Sequence, residues 1–200
     1  MRDPKNILEV AALGPDYMGF IFYEKSKRYV GEDFFIPREF PHNIKRVGVF
    51  VNEKIENILS QVSKHQLDFV QLHGDESADL CGELKQQTKV IKVFRVDDSF
   101  DFDSVKKFNS CSDFFMFDTK GENFGGTGKT FNWNLLKNYD QEIPFFLSGG
   151  LSTKNIQQVR ELKNLNLYSL DFNSQVESAP GIKDMAVLNS VFSILNSFQK

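Results

Sequence analysis

Residues 114–128, FFMFDTKGENFGGTG, read as an apolar strand, an acid at its carboxyl edge and a glycine-rich loop. An unbroken apolar run of this length fits a strand covered on both faces, as in a parallel sheet flanked by helices. Asp118 then stands where the strand gives way to its loop. The same pattern recurs on both sides of this stretch. YMGFIF (17–22), RVGVFV (46–51), FVQLH (69–73) and VIKVFRV (90–96) precede it, and FFLSG (145–149) and LYSLDF (167–172) follow. Between these runs lie segments of helical period at 53–65, 76–87, 102–109, 132–139 and 153–163, and IKDMAVLNSVFSILNSF (182–198) closes the chain. Strands alternating with amphipathic segments predict βαβ units and a parallel sheet.

The expected architecture is a single α/β domain over 1–200, a (βα)8 TIM-type barrel. Such barrels close with eight strands, whereas seven are visible and the chain opens directly in an expected helix. Asp3 is its N-cap and Pro4 lies in its first turn. A barrel lacking its first strand, opened or rearranged, is therefore expected. A doubly wound open sheet is the alternative, but no G-x-G-x-x-G follows the first visible strand.

Composition narrows the function classes. The formal charge is −3 with no long like-charge run, which argues against nucleic acid or an anionic membrane as partner. No apolar run approaches the ~20 residues of a membrane span, so a cytoplasmic protein acting on a small molecule is expected. Its two cysteines, Cys81 and Cys111, form no metal-ligand spacing and are expected to be inert packing residues; no metal is expected. The 21 phenylalanines fall mostly inside the apolar runs and serve as core.

In barrels of this kind chemistry gathers at the carboxyl ends of the strands, and the polar residues follow that rule. In chain order they are Arg28 in EKSKRY, His73 in QLHG, Arg95, Asp118 in FDTK, the Gly149–Gly150 pair in LSGG, and Asp171 with Asn173 and Ser174 in DFNS. Asp118 is placed to donate a proton in the mouth of the barrel; its bland reading is an aspartate that only ties down loop amides. Gly125, Gly126 and Gly128 make a loop able to fold over a substrate or simply to turn the chain. Gly149 and Gly150, after a strand and before an expected helix, offer backbone N–H groups to a phosphate, with Asn173 and Ser174 completing the cradle. Arg28 suits a carboxylate through its forked guanidinium, although a solvated basic loop is an equal reading. His73 can orient the substrate or a neighbouring acid, or act only as a structural hydrogen-bonder.

As a set, GFIFYEKSKRYV, RVGVFVN, VQLHG, FDTKGENFGGTGKTFNW, LSGGL and DFNSQVESAPGIKD, in this order, resemble the phosphoribosylanthranilate isomerase family over essentially the whole chain. The resemblance implies an Amadori rearrangement of a phosphosugar in tryptophan biosynthesis, without metal or organic cofactor. It assigns Asp118 as the general acid, Arg28 to the substrate carboxylate, His73 and Asp171 to the substrate site, and Gly149, Gly150, Asn173 and Ser174 to the phosphate.

The family's general base is a cysteine in a first-strand Lys-Ile-Cys-Gly segment, immediately before the residues that match Met1 to Pro4. That segment is absent from this chain, and an in-frame strand encoded upstream of Met1 is the implied explanation. The expectations that follow are weak or no turnover by these 200 residues and exposed strand edges able to pair two copies into a homodimer. Other phosphosugar barrels call for a catalytic Lys and Glu set or metal-binding histidines, and neither constellation is visible. The remaining alternative is a noncatalytic phosphoribosyl-ligand-binding remnant.

Overall fold

A computed structural model describes residues 1–121 and 130–198. Seven strands form one parallel sheet in strict chain order: β1 (Tyr17–Ile21), β2 (Lys45–Phe50), β3 (Phe69–Leu72), β4 (Lys89–Val96), β5 (Phe114–Thr119), β6 (Phe145–Leu147) and β7 (Leu167–Leu170). The order never reverses, which excludes the doubly wound alternative, whose sheet turns back at a switch point. Among the described residues β1 and β7 are the two edges, as expected of a barrel that lacks one strand. The sheet is nevertheless curled. Tyr17, which opens β1, and Tyr168, in β7, share a hydrogen bond of 3.2 Å between their hydroxyls, so the two edge strands converge at the amino end.

Period-two alternation sends one face of each strand inward. Val47, Phe69, Ile91, Val93, Met116 and Phe146 form the packed interior. At its amino end Tyr17 packs edge-on against Phe69 and Phe146, and Tyr168 lies 4.5 Å from Phe114, ring centre to ring centre. The opposite face carries a larger cluster, including Phe50, Leu72, Val90, Phe115, Phe117 and Leu147, buried under the connecting segments. Helices α1 (Pro4–Ala11) and α4 (Met185–Asn196) contribute Ile7, Val10, Leu188 and Val191 to a third cluster beside β1.

Asp3 caps α1 as expected, its side chain accepting from the Asn6 N–H at 2.8 Å with Pro4 in the first turn. α2 (Ile55–His65) and α3 (Ala78–Lys85) also lie where helical period placed them. The other connections differ. Phe102–Phe108, Trp133–Asn138 and Ile156–Leu162 are 3-10 segments. Each is too short to repay an α-helical nucleus, and the first two are drawn tighter by Asp101 and Asn132, whose side chains accept from the N–H two residues on.

The closing helix also starts later than helical period suggested. Ile182–Lys183 form β9, paired antiparallel with β8 (Glu177–Ala179) through a turn at Gly181, whose φ is +84°. Asp184 then caps α4 by accepting from Ala186 and Val187. Among the described residues no helix is long and apolar enough to cross a membrane.

Candidate functional site

One cavity of about 730 Å³ occupies the carboxyl end of the sheet and continues into the gap between β1 and β7. Arg28, His73, Asp118, Gly149, Gly150, Asp171, Asn173 and Ser174 all line it. Five separate chain segments thus bring the expected residues to one place. Arg95 does not join them and pairs instead with Asp75 at 2.7 Å on the surface. Gly125, Gly126 and Gly128 lie outside the described residues. Among the described residues no His, Cys, Asp or Glu cluster is arranged to hold a metal ion.

Asp118 is 5% exposed, the last inward residue of β5, and hydrogen bonds hold both its oxygens. Oδ1 accepts from the Thr119 N–H at 2.9 Å, and Oδ2 lies 3.2 Å from His73 Nε2. The other ring nitrogen, Nδ1, lies 3.1 Å from Gln71 Nε2. With that amide nitrogen donating, His73 carries its proton on Nε2 and donates it to Asp118. Gln71 escaped the sequence reading, although it stands two residues before His73 on the same inward face of β3, and that spacing is the signal that finds it.

Asp171 follows β7 and accepts from Ser148 Oγ at 3.0 Å. Burial pushes its carboxyl above the usual range; the Ser148 bond and the Lys183 charge oppose this, and the Asp118 charge adds to it. Two carboxylates of unlike environment therefore share the cavity.

Gly149 and Gly150 do adopt the special backbone expected of them, with φ of +90° and +66°. A Cβ at Gly149 would fall within 3 Å of Thr119 and of Asp118 Oδ1, so the residue is glycine for close approach as well as for its turn. The pair does not open a helix directly, because the next helical segment starts only at Ile156. Asn155 fills the interval, donating to Gly150 O at 2.9 Å and accepting from the Ser152 N–H at 2.8 Å. The expected helix N-terminus is thus replaced by a loop.

Arg28 reaches the cavity with its guanidinium already engaged. Nη2 lies 2.8 Å from Glu177 Oε2, and Nε donates to both carboxylate oxygens at 3.1 and 2.8 Å. Glu177 also accepts from the Gly181 N–H at 3.0 Å and from Lys183 Nζ at 3.2 Å. Burial alone would raise its pKa, but the Arg28 bond and the two positive charges outweigh that and hold the carboxyl below its usual range. Lys183 donates further to Asn173 O and Oδ1 at 3.0 and 2.8 Å. A buried chain of charge therefore joins Arg28 to the loop that bears Asn173 and Ser174. Glu177 and Lys183 sit inside the quoted stretch DFNSQVESAPGIKD, and only the β8–β9 hairpin shows that they meet.

The family model described as N-(5'phosphoribosyl)anthranilate (PRA) isomerase matches residues 1–193. This chain belongs to that family. An N-(5'-phosphoribosyl)anthranilate isomerase of Parabacteroides distasonis is 41% identical over 197 residues, covering 95% of this chain and 88% of the relative. The crystal structure of phosphoribosyl anthranilate isomerase from Thermotoga maritima superposes with a TM-score of 0.85 at 33% identity, over 98% of this chain and 96% of that one. A family structure in complex with reduced 1-(o-carboxyphenylamino)-1-deoxyribulose 5-phosphate gives 0.82 at 30% identity, over 98% and 95% of the two chains. The opened seven-stranded sheet is thus the isomerase family's barrel architecture.

Proposed function

We propose that this chain binds N-(5-phosphoribosyl)anthranilate and carries out its Amadori rearrangement to 1-(2-carboxyphenylamino)-1-deoxyribulose 5-phosphate, as its family does. The observation that carries the reading is the meeting of Asp118, its His73 partner, Asp171 and Arg28 in one cavity with the Gly149–Gly150 and Asn173–Ser174 loops. Such a cavity offers a guanidinium to a carboxylate, backbone N–H groups of two loops to a phosphate, and an acid.

Asp118 protonates the furanose ring oxygen and the aminosugar opens to a Schiff base. A base then removes the C2′ proton, and the resulting enolamine tautomerises to the ketone. Each oxygen of Asp118 accepts one N–H and keeps a second lone pair for the acid proton, while the bond from His73 Nε2–H holds the carboxyl in place. Arg28 orients the anthranilate carboxylate by donors not engaged by Glu177. Backbone N–H groups of the two loops take the phosphate.

The base is the weak point of this polypeptide. Cys81 and Cys111 are both buried and neither lines the cavity. That observation favours binding with slow turnover by the 200 residues taken alone. Calorimetry with the reduced product analogue, run beside a turnover assay, tests the reading. Saturable binding that is lost when Arg28 and Ser174 are replaced together is expected, and absence of binding sinks it.

The edges β1 and β7, each with a single neighbour in the sheet, also suit pairing between two copies; on β1 that pairing must work around Gly19 O and Ile21 O, which already accept from the Met1 amine and the Val30 N–H. Light scattering should then report a dimer, and a monomer at all concentrations rejects that pairing.

A further inference from the structure

Behind the site, on the helix-facing side of the sheet, lies an ion pair that the proposed chemistry does not use. Lys92 on β4 and Glu76, two residues before α3, are 3% and 1% exposed, with Nζ 2.7 Å from Oε2. All three ammonium hydrogens have acceptors: Glu76 Oε2, Leu72 O at 3.4 Å and Gly74 O at 2.8 Å. Those two carbonyls belong to the residues on either side of His73. Glu76 is equally committed. It accepts from the Gly74 N–H through both oxygens at 3.0 Å and from the Asn52 N–H at 2.9 Å. Asn52 Oδ1 in turn accepts from the Asp75 N–H at 2.7 Å.

Packing alone does not account for this arrangement, because an apolar pair of the same volume in a buried site is commonly at least as stable. What the charges add is direction. The ends of β2, β3 and β4 are tied to one another at the single turn that carries His73, whose own N–H donates to Phe50 O at 2.8 Å. The ring, reached from Gln71 on one side and Asp118 on the other, has little freedom once its backbone is fixed.

We propose that Lys92 and Glu76 are a positioning pair that holds His73 in register with Asp118. They touch no part of the cavity and act only through the 72–76 backbone. The effect on turnover rests on the isomerase reading, whereas the effect on His73 does not.

The test uses ¹⁵N signals of the imidazole rings in the 200-residue protein without substrate, His73 being assigned by its loss in H73Q. The native protein should show a single His73 tautomer protonated on Nε2. In K92M/E76Q, which removes both charges and keeps their volume, and in E76D, which retracts the carboxylate, the His73 signals should move toward a mixture of tautomers. D75A, which breaks only the exposed pair with Arg95 on the same turn, should leave them unchanged. Where turnover is measurable, kcat should fall by about 10- to 100-fold, as for misplaced catalytic groups generally, with KM within about threefold. Native-like His73 signals in folded K92M/E76Q, or in E76D should the double variant not fold, overturn the proposal. A protein that does not bind the reduced product analogue rejects the isomerase reading and leaves the ring signals to decide this one.

Discussion

Arg28 and Glu177, 149 positions apart in sequence, face each other through three short contacts, the closest of 2.8 Å. The guanidinium assigned to the substrate carboxylate is thus held by a carboxylate of the chain itself. Glu177→Ala leaves Arg28 and Lys183 as buried cations without their shared partner, and breaking such a pair costs about 3–5 kcal/mol. Glu177→Gln keeps the shape and loses the charge, so Arg28 should wander. For that variant KM or the dissociation constant of the product analogue should rise several-fold with a smaller change in kcat. Unchanged affinity in a folded Glu177→Gln protein would show that Arg28 needs no such support.

With Asp118 as the proposed general acid, its loss should separate binding from chemistry. Asp118→Asn preserves the Thr119 contact and the size of the side chain but cannot donate the proton that opens the ring. General acid–base groups contribute roughly 10²- to 10⁴-fold, and kcat should fall by that much. Affinity for the reduced product analogue, measured by calorimetry, should change little. A variant with native turnover would move the acid role elsewhere in the cavity.

Gly149 gives a steric prediction that is independent of the mechanism. Alanine at this position meets both a left-handed φ and the carboxylate of Asp118. Backbone strain of this kind costs on the order of 1–3 kcal/mol, and relief of the contact must displace Asp118 or Thr119. Gly149→Ala should therefore lower both the urea midpoint and kcat. An alanine variant as stable and as active as the parent would mean that the β6 loop is free to move.

The barrel and the cavity are legible in the sequence for one reason: strand runs and strand-end polar residues obey local rules. FFMFDT lies in the structure at the residues where its pattern ended. Partnerships are not local. Nothing in EKSKRY indicates that Arg28 meets Glu177, because that contact depends on the β8–β9 turn at Gly181, a segment whose second half reads as helix. Likewise nothing in VIKVFRV marks Lys92, and only the β3–α3 turn above it explains a buried lysine. The three 3-10 connections were missed because period shows where an apolar face lies and is silent on whether six or seven residues suffice to nucleate an α-helix.

Asp171 makes folding stability depend on pH with a definite sign. Its folded pKa is raised, chiefly by burial. Below about pH 4, the ordinary carboxylate range, both folded and unfolded states hold the proton and the group adds no slope. As pH rises, the unfolded state ionises first while the folded one keeps its proton. The contribution is then lost progressively up to the raised folded value. Urea titrations from pH 4 upward should show Asp171→Asn gaining stability relative to the parent as pH increases. A constant difference between the two proteins would place the Asp171 carboxyl in a solvated environment.

The identity of the base can be tested on the thiols that are present. Burial pushes the Cys81 thiol up to about 12, so it holds almost no thiolate near neutrality and cannot be a ready nucleophile or base. Cys111 is also buried and donates toward Phe108 O at 3.4 Å. Ellman's reagent should therefore label the native protein only as fast as it opens, and rapidly once urea is added. The Cys81→Ala/Cys111→Ala variant should keep whatever turnover the 200-residue polypeptide shows, after correction for the folded fraction. Selective loss of turnover in a folded double variant would mean that a buried thiol reaches the substrate after all, and that the cavity rearranges during catalysis.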